Sequence, residues 1–384
     1  MSLTAYTGAD IFDGNIRHFR AALLVDGTRI KGVVPIRDIP ETATTHTLVG
    51  GTLAPGFVDL QVNGGGGVLF NDDPAVGTLK TIAAAHARLG TTSLLPTLIT
   101  DTPAHVEAAI NAVEQAIAQD IAGIIGLHLE GPHLSVARKG AHDPDLIRPM
   151  QDDDLALLLD AAKRLPYLMV TVAPENVTGA QISSLSSAGI IVSLGHTDAP
   201  YKDCVAAANN GASCATHLFN AMSQFTGREP GLVGATLERG DLHAGLIADG
   251  IHVSPSSIRT ALAAKRGPAA IFLVTDAMST AGSDITEFSL NGRTIYRRDK
   301  RLTLSDGTLA GADLDMPTAL RFMTTTVGLN ADAALTMATM APAQVIHSPS
   351  AGKVADNAPA DFIHLDDTFH LKAVWQNGAQ LALP

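Results

Sequence analysis

Eight short apolar runs, enriched in β-branched residues, recur between residues 56 and 276, and the segments between them carry apolar residues at three- and four-residue steps. The runs cover 56–62, 91–97, 124–130, 167–173, 190–196, 213–217, 243–249 and 271–276. Alanine-rich stretches such as 76–89 and 104–118 have the spacing of helices that cover a sheet with one apolar face. Strands alternating with helices imply parallel pairing, and eight such units imply a closed (β/α)8 TIM barrel rather than an open sheet.

The first 55 residues follow another pattern. Ala21-Ala22-Leu23-Leu24-Val25 and Arg29-Ile30 flank the turn pair Asp26-Gly27. Near the other end, Asp361-Phe362-Ile363-His364-Leu365 and Ala373-Val374-Trp375 are again short strands. Neither terminus has enough strands for a stable core by itself, so both are expected to join in one small β-sandwich domain formed by 1–54 and 349–384, with the barrel spanning 55–348. Asn291-Gly292 and Asp306-Gly307 predict turns of a hairpin insertion near the barrel mouth.

At 384 residues the chain exceeds the roughly 250 that a barrel of this kind requires. An apolar fraction of 46% with 17% charged residues fits a globular enzyme, and no apolar stretch approaches the ~18 residues of a membrane helix. The start of the chain has no basic segment followed by an apolar core, so a cytoplasmic location is expected. A formal charge of −12 argues against nucleic-acid and anionic-membrane partners. Cys204 and Cys214 have no metal or redox spacing and read as buried small residues.

Chemistry enters at the carboxyl ends of the strands, where barrel enzymes hold their catalytic groups. The third run ends on Glu130, the fifth on His196, the sixth on His217 and the eighth on Asp276. Catalytic zinc takes three protein ligands and keeps a position open for water, so Glu130, His196 and His217 complete a ligand set. Asp276 is then free to take a proton from the activated water and pass it to a leaving amine. This points to metal-dependent hydrolysis of an amide or related bond.

Other features carry less. Gly64-Gly65-Gly66-Gly67 lacks the lysine and spacing of a phosphate loop and reads as a flexible loop after the first strand. Arg297-Arg298-Asp299-Lys300-Arg301 reads as a solvated hairpin face. Arg228, after the strand that carries His217, and His252, after the seventh strand, are candidate holders of a phosphate or carboxylate.

Several segments together resemble the N-acetylglucosamine-6-phosphate deacetylases of the amidohydrolase superfamily. They are Leu53-Ala54-Pro55-Gly56-Phe57-Val58-Asp59, Gly126 through Pro132, Ser193-Leu194-Gly195-His196-Thr197, Thr216-His217-Leu218-Phe219-Asn220-Ala221-Met222, Gly227-Arg228-Glu229-Pro230-Gly231, Ala248-Asp249-Gly250-Ile251-His252 and Val274-Thr275-Asp276-Ala277. The resemblance implies a hydrolase that converts N-acetyl-D-glucosamine 6-phosphate to D-glucosamine 6-phosphate and acetate. Water activated by one divalent metal ion, expected to be Zn2+, would attack the acetamide carbonyl, with Glu130, His196 and His217 as ligands and Asp276 as general base and acid. It also implies that His142 hydrogen-bonds the scissile carbonyl, that Asn220 and Ala221 contact the substrate, and that Leu309, Ala310 and Gly311 line the sugar pocket. Arg228 and His252 would hold the 6-phosphate, shared across the interface of a homodimer.

One departure from the wider superfamily stands out. Where many members carry His-x-His after the first strand, this chain has Gln61-Val62-Asn63. Neutral amides are poor zinc ligands beside imidazole, so a single metal is expected, with Gln61 and Asn63 in its outer shell, contacting water. The fourth run ends Val172-Ala173-Pro174-Glu175 and offers no bridging lysine. Another amidohydrolase chemistry, such as deamination or cyclic-amide cleavage, shares the metal centre and differs in the pocket.

Overall fold

A computed structural model describes residues 3–383. Its centre is one eight-stranded sheet in sequential order. The strands are β1 (Phe57–Val62), β2 (Thr91–Ile99), β3 (Leu127–Glu130), β4 (Leu168–Val172), β5 (Ile191–Leu194), β6 (Cys214–Ala215), β7 (His243–Ile247) and β8 (Ile271–Val274). Every neighbouring pair is parallel, as between Leu127 and Leu168 on β3 and β4. The last strand returns beside the first, closing the (β/α)8 barrel that the periodicity predicts.

The strands are buried along their length, which explains why they read as apolar runs rather than alternating ones. The helices supply the outer layer. Val76–Arg88 buries Leu79, Ile82 and Ala83, and each fully buried Leu or Ile contributes about 1.5–3 kcal/mol. Pro103–Ala118 begins where Thr102 accepts the His105 amide and Pro103 occupies the first turn, a start that the sequence encodes locally.

The termini form two sheets that share a core. The first contains Leu3–Thr7, Ala21–Asp26, Arg29–Pro35 and Thr44–Thr47; the second joins Asp10–Phe12, Arg17–His18 and Thr52–Pro55 to Phe362–Leu365, Leu371–Gln376 and Ala379–Gln380. Pro55 pairs with Phe362 in antiparallel register, so the two ends of the chain share one ladder. Tyr6, Ile11, Leu23, Phe362 and Trp375 lie between the sheets, and the Phe362 and Trp375 rings stack at 4.6 Å.

After β8, a three-stranded meander (Glu287–Leu290, Arg293–Arg298, Arg301–Thr303) forms at the barrel mouth. Asn291 and Gly292 both take positive φ, as a two-residue turn matching strand twist requires. Leu290, Ile295 and Leu302 pack with Met278 and Ala310, anchoring the meander to the loops of the site.

Two expectations need correction. Gly64–Gly65 is no loose loop: it pairs with Val68–Leu69, and its backbone is tied to Ala277. A Cβ on Gly64 would lie 2.5 Å from Val68 O and 2.8 Å from Ser279 N, so close backbone approach, rather than flexibility, accounts for glycine there. In the basic cluster, residues 298–301 are exposed as expected, but the partly exposed Arg297 is also tethered: its Nε donates to Asp313 at 2.8 Å and its Nη1 to Ser283 O. No helix among the described residues is long and apolar enough to cross a membrane.

Candidate active site

The strand-end residues converge. Glu130 Oε1 lies 3.3 Å from His196 Nε2 and 3.1 Å from His217 Nε2, and the two imidazole nitrogens are 3.1 Å apart. Ligand bonds of about 2.0–2.1 Å at tetrahedral angles put donor atoms roughly 3.3 Å apart, so this triangle has the size of one face of a zinc tetrahedron. His142 also brings a ring nitrogen within 4.8 Å of the Glu130 and His196 donor atoms. Glu130 and His196 belong to both groupings, with His217 and His142 on either side of them.

The backbone at these positions is unusual. His196, His217 and Asp276 have φ of 45°, 30° and 51°, a region that non-glycine residues occupy at a cost of about 1–3 kcal/mol. Ala221 shares it, at 45°. The chain turns sharply at His196, His217 and Asp276, each two residues past the end of its strand. Gly195 permits the turn before His196: a Cβ there would meet Thr171 Cγ2 at 2.8 Å and Thr216 Cβ at 2.9 Å.

Hydrogen bonds settle which atoms are free. His196 Nδ1 donates to Arg138 O at 2.8 Å, which leaves the Nε2 lone pair for the cluster. His217 Nδ1 is buried without a partner. Thr100 N donates to His142 Nδ1 at 3.4 Å and Thr100 Oγ1 lies 2.8 Å from the same atom, so the ring proton of a neutral His142 sits on Nε2. Burial, followed by the neighbouring charge of His196, holds His142 well below the usual histidine range and keeps the ring neutral.

Among the carboxylates, burial alone would raise Glu130, but hydrogen bonds and charge from His196 and His217 hold it well below the ordinary range. Asp276 goes the other way. Burial and the charge of Glu130 push it up to about 6, against the pull of His217 and Asn63. Two adjacent carboxylates held apart in this way suit one for ligation and the other for proton transfer.

Gln61 and Asn63 act as amide donors around these acids. Gln61 Nε2 donates to Glu130 Oε1 at 3.2 Å and to Asp276 Oδ1 at 3.2 Å, while Asn63 Nδ2 donates to Asp276 Oδ1 at 2.7 Å. Both Asp276 contacts fall on Oδ1.

The cluster opens into a cavity of about 520 Å³, larger than the other described cavities. Asn220, Ala221, His252, Leu309, Ala310 and Gly311 line it, together with His142 and Asn63. His252 Nδ1 donates to Asp249 Oδ2 at 2.6 Å, which leaves its Nε2 for a ligand. Arg228 is placed elsewhere: it is exposed on its loop and does not line this cavity.

The pattern of strand ends did not point to Thr100, which orients His142, or to Asp59, which lies fully buried beneath Gln61. Burial pushes Asp59 up to about 7, against donors from Thr275 and Gln61. The signal for Asp59 was period two: Asp59, Gln61 and Asn63 are polar residues on one face of an otherwise apolar strand.

The sequence profile of the Amidohydrolase family matches residues 52–381. The chain is 41% identical to an N-acetylgalactosamine-6-phosphate deacetylase of Shewanella sp. (strain ANA-3), covering 99% of this chain and 93% of that protein. It is 34% identical to an N-acetylglucosamine-6-phosphate deacetylase of Haemophilus influenzae, covering 92% of each. The crystal structure of N-acetylglucosamine-6-phosphate deacetylase from Pasteurella multocida superposes with a TM-score of 0.94 at 36% identity, covering 99% of this chain and all of that one.

Proposed function

The chain belongs to the amidohydrolase family, and from that premise we propose that it deacetylates N-acetyl-D-glucosamine 6-phosphate to D-glucosamine 6-phosphate and acetate. The observation that carries this reading is the meeting, in one cavity, of the Glu130, His196 and His217 triangle with the buried carboxyl of Asp276.

One divalent ion, Zn2+ in this reading, would be held by Glu130, His196 and His217, and when bound it makes water a nucleophile at neutral pH and polarises the carbonyl. Asp276 takes the proton that water loses as its oxygen bonds to the acetamide carbon. With Oδ1 engaged by Gln61 and Asn63, Oδ2 is the oxygen left for that transfer. The same carboxyl then delivers the proton to the amide nitrogen as the C–N bond breaks, releasing acetate and the free amine. His142 Nε2–H donates to the carbonyl oxygen where negative charge develops.

His252 holds the 6-phosphate from within the cavity. Arg228, outside the cavity of its own chain, reaches the site of a second copy, which makes the working unit a homodimer. Asn220, Ala221 and Leu309 through Gly311 wall the sugar ring. A phosphorylated sugar does not cross membranes unaided, so the cytoplasm is the compartment this substrate implies.

The 41% identity to a protein named for the galacto epimer supports a second reading, in which N-acetylgalactosamine 6-phosphate is the preferred substrate. The deciding experiment measures amine release from both epimers, with zinc content determined on the same protein and a chelator-treated control. Turnover that stops with chelator and returns with zinc supports the deacetylase reading, and the ratio of kcat/KM values ranks the epimers. A zinc-loaded protein inactive on both overturns it.

A further inference from the structure

The barrel has a seam. Ladder pairing runs continuously from β1 to β8, yet among the described residues these two strands share no ladder, and the one bridge that joins them, between Val62 and Ala277, lies beyond the end of β8. Around that bridge Asp276 N donates to Gln61 O at 3.0 Å and Asn63 N to Ala277 O at 2.9 Å. One step deeper, a side chain takes over the role of a backbone acceptor. The Asp59 carboxylate receives Thr275 N on both oxygens at 3.3 Å, Thr275 Oγ1 at 2.5 Å and Gln61 N at 3.2 Å.

Both residues that Asp59 holds bear directly on Asp276, which Asn63 also contacts. Thr275 is its chain neighbour, immediately before a residue at φ 51°, and Gln61 sends Nε2 to Asp276 Oδ1. A left-handed conformation at a non-glycine residue persists only where its surroundings over-determine it. Asp59 is fully buried and does not line the cavity, so its hydrogen bonds reach the site through these neighbours.

We propose that Asp59 is the positioning residue for Asp276: its carboxylate pins Thr275 to Gln61 across the barrel seam and so aims the base. This assignment rests on the reading of Asp276 as the base, and displacing a catalytic group by about 1 Å can cost on the order of 10²-fold in rate.

The test uses the full-length, zinc-loaded protein and compares Asp59→Asn, Thr275→Val and Thr275→Ser with wild type. Asp59→Asn and Thr275→Val should lower kcat at least tenfold, with KM and zinc content within about twofold of wild type, while Thr275→Ser keeps most of the activity. In an Asp276→Asn background, adding Asp59→Asn should cost little more, because the base it aims is already gone. A folded, metal-replete Asp59→Asn with wild-type kcat, or a loss confined to KM or zinc content, overturns the assignment. So does a full additional loss in the Asp276→Asn background. If Asp59→Asn does not fold, Thr275→Val decides by the same criteria. A wild-type protein with no amidase turnover overturns the proposed function and this assignment together, whereas an active wild type with indifferent variants overturns only the assignment.

Discussion

Asn63 donates its side-chain amide to Asp276 Oδ1 at 2.7 Å, and this bond fixes both partners. A carboxylate only accepts, so Nδ2 must face Asp276 and Asn63 Oδ1 is left buried without a partner. In the proposed mechanism this bond holds the base.

Asp276→Asn should retain the metal, since Glu130, His196 and His217 are untouched, but lose the proton acceptor. General acid–base catalysis contributes about 10²–10⁴-fold, and kcat should fall by that much. Metal analysis and steady-state kinetics on one preparation check this; near-wild-type turnover would remove Asp276 from the mechanism.

The acid side of the rate profile follows from the same group. Asp276 must be ionised to accept a proton, its pKa is raised to about 6, and kcat/KM should therefore fall as pH drops through that value, or a lower one once a cation is bound. The Asn63 hydrogen bond favours the ionised form, so Asn63→Ala should move the acid limb upward. A pH profile of the variant with an unmoved or lowered limb contradicts this account.

Arg228 and His252 should separate substrates. A charge-assisted hydrogen bond is worth about 1.5–3 kcal/mol, so Arg228→Ala should cost roughly 10- to 100-fold in kcat/KM for the 6-phosphate and little for the unphosphorylated sugar. Mixed dimers of Arg228→Ala with Asp276→Asn provide the geometric control. If the arginine acts across the interface, one of their two sites is intact and partial activity returns; no recovery would confine Arg228 to its own chain.

Gly64→Ala tests the corrected reading of the glycine run. A Cβ 2.5 Å from Val68 O must displace backbone that is itself tied to Ala277, and strain of this kind costs about 1–3 kcal/mol. Thermal denaturation should show a lowered Tm, whereas a flexible loop would show none.

The corrections share a cause. The tether of Arg297 and the close packing of Gly64 leave no trace in sequence because their partners, Asp313 and Ser279, are distant or unpatterned, whereas His196 and His217 are legible because each ends an apolar run whose length and composition mark a strand.

Local pattern was enough for the barrel, for the ends of its strands and for the residue types standing there, because periodicity reports which face of each element is buried and the barrel rule places catalytic groups at one end. Tertiary structure alone decided the rest. The 3.1 Å approach of His196 to His217, the opposite pKa shifts of Glu130 and Asp276, the tautomer of His142 and the hold of Asp59 on Thr275 all depend on distances between strands far apart in the chain. Electrostatic and hydrogen-bond energies change steeply over the last ångström, and that ångström is set by how the closed barrel packs.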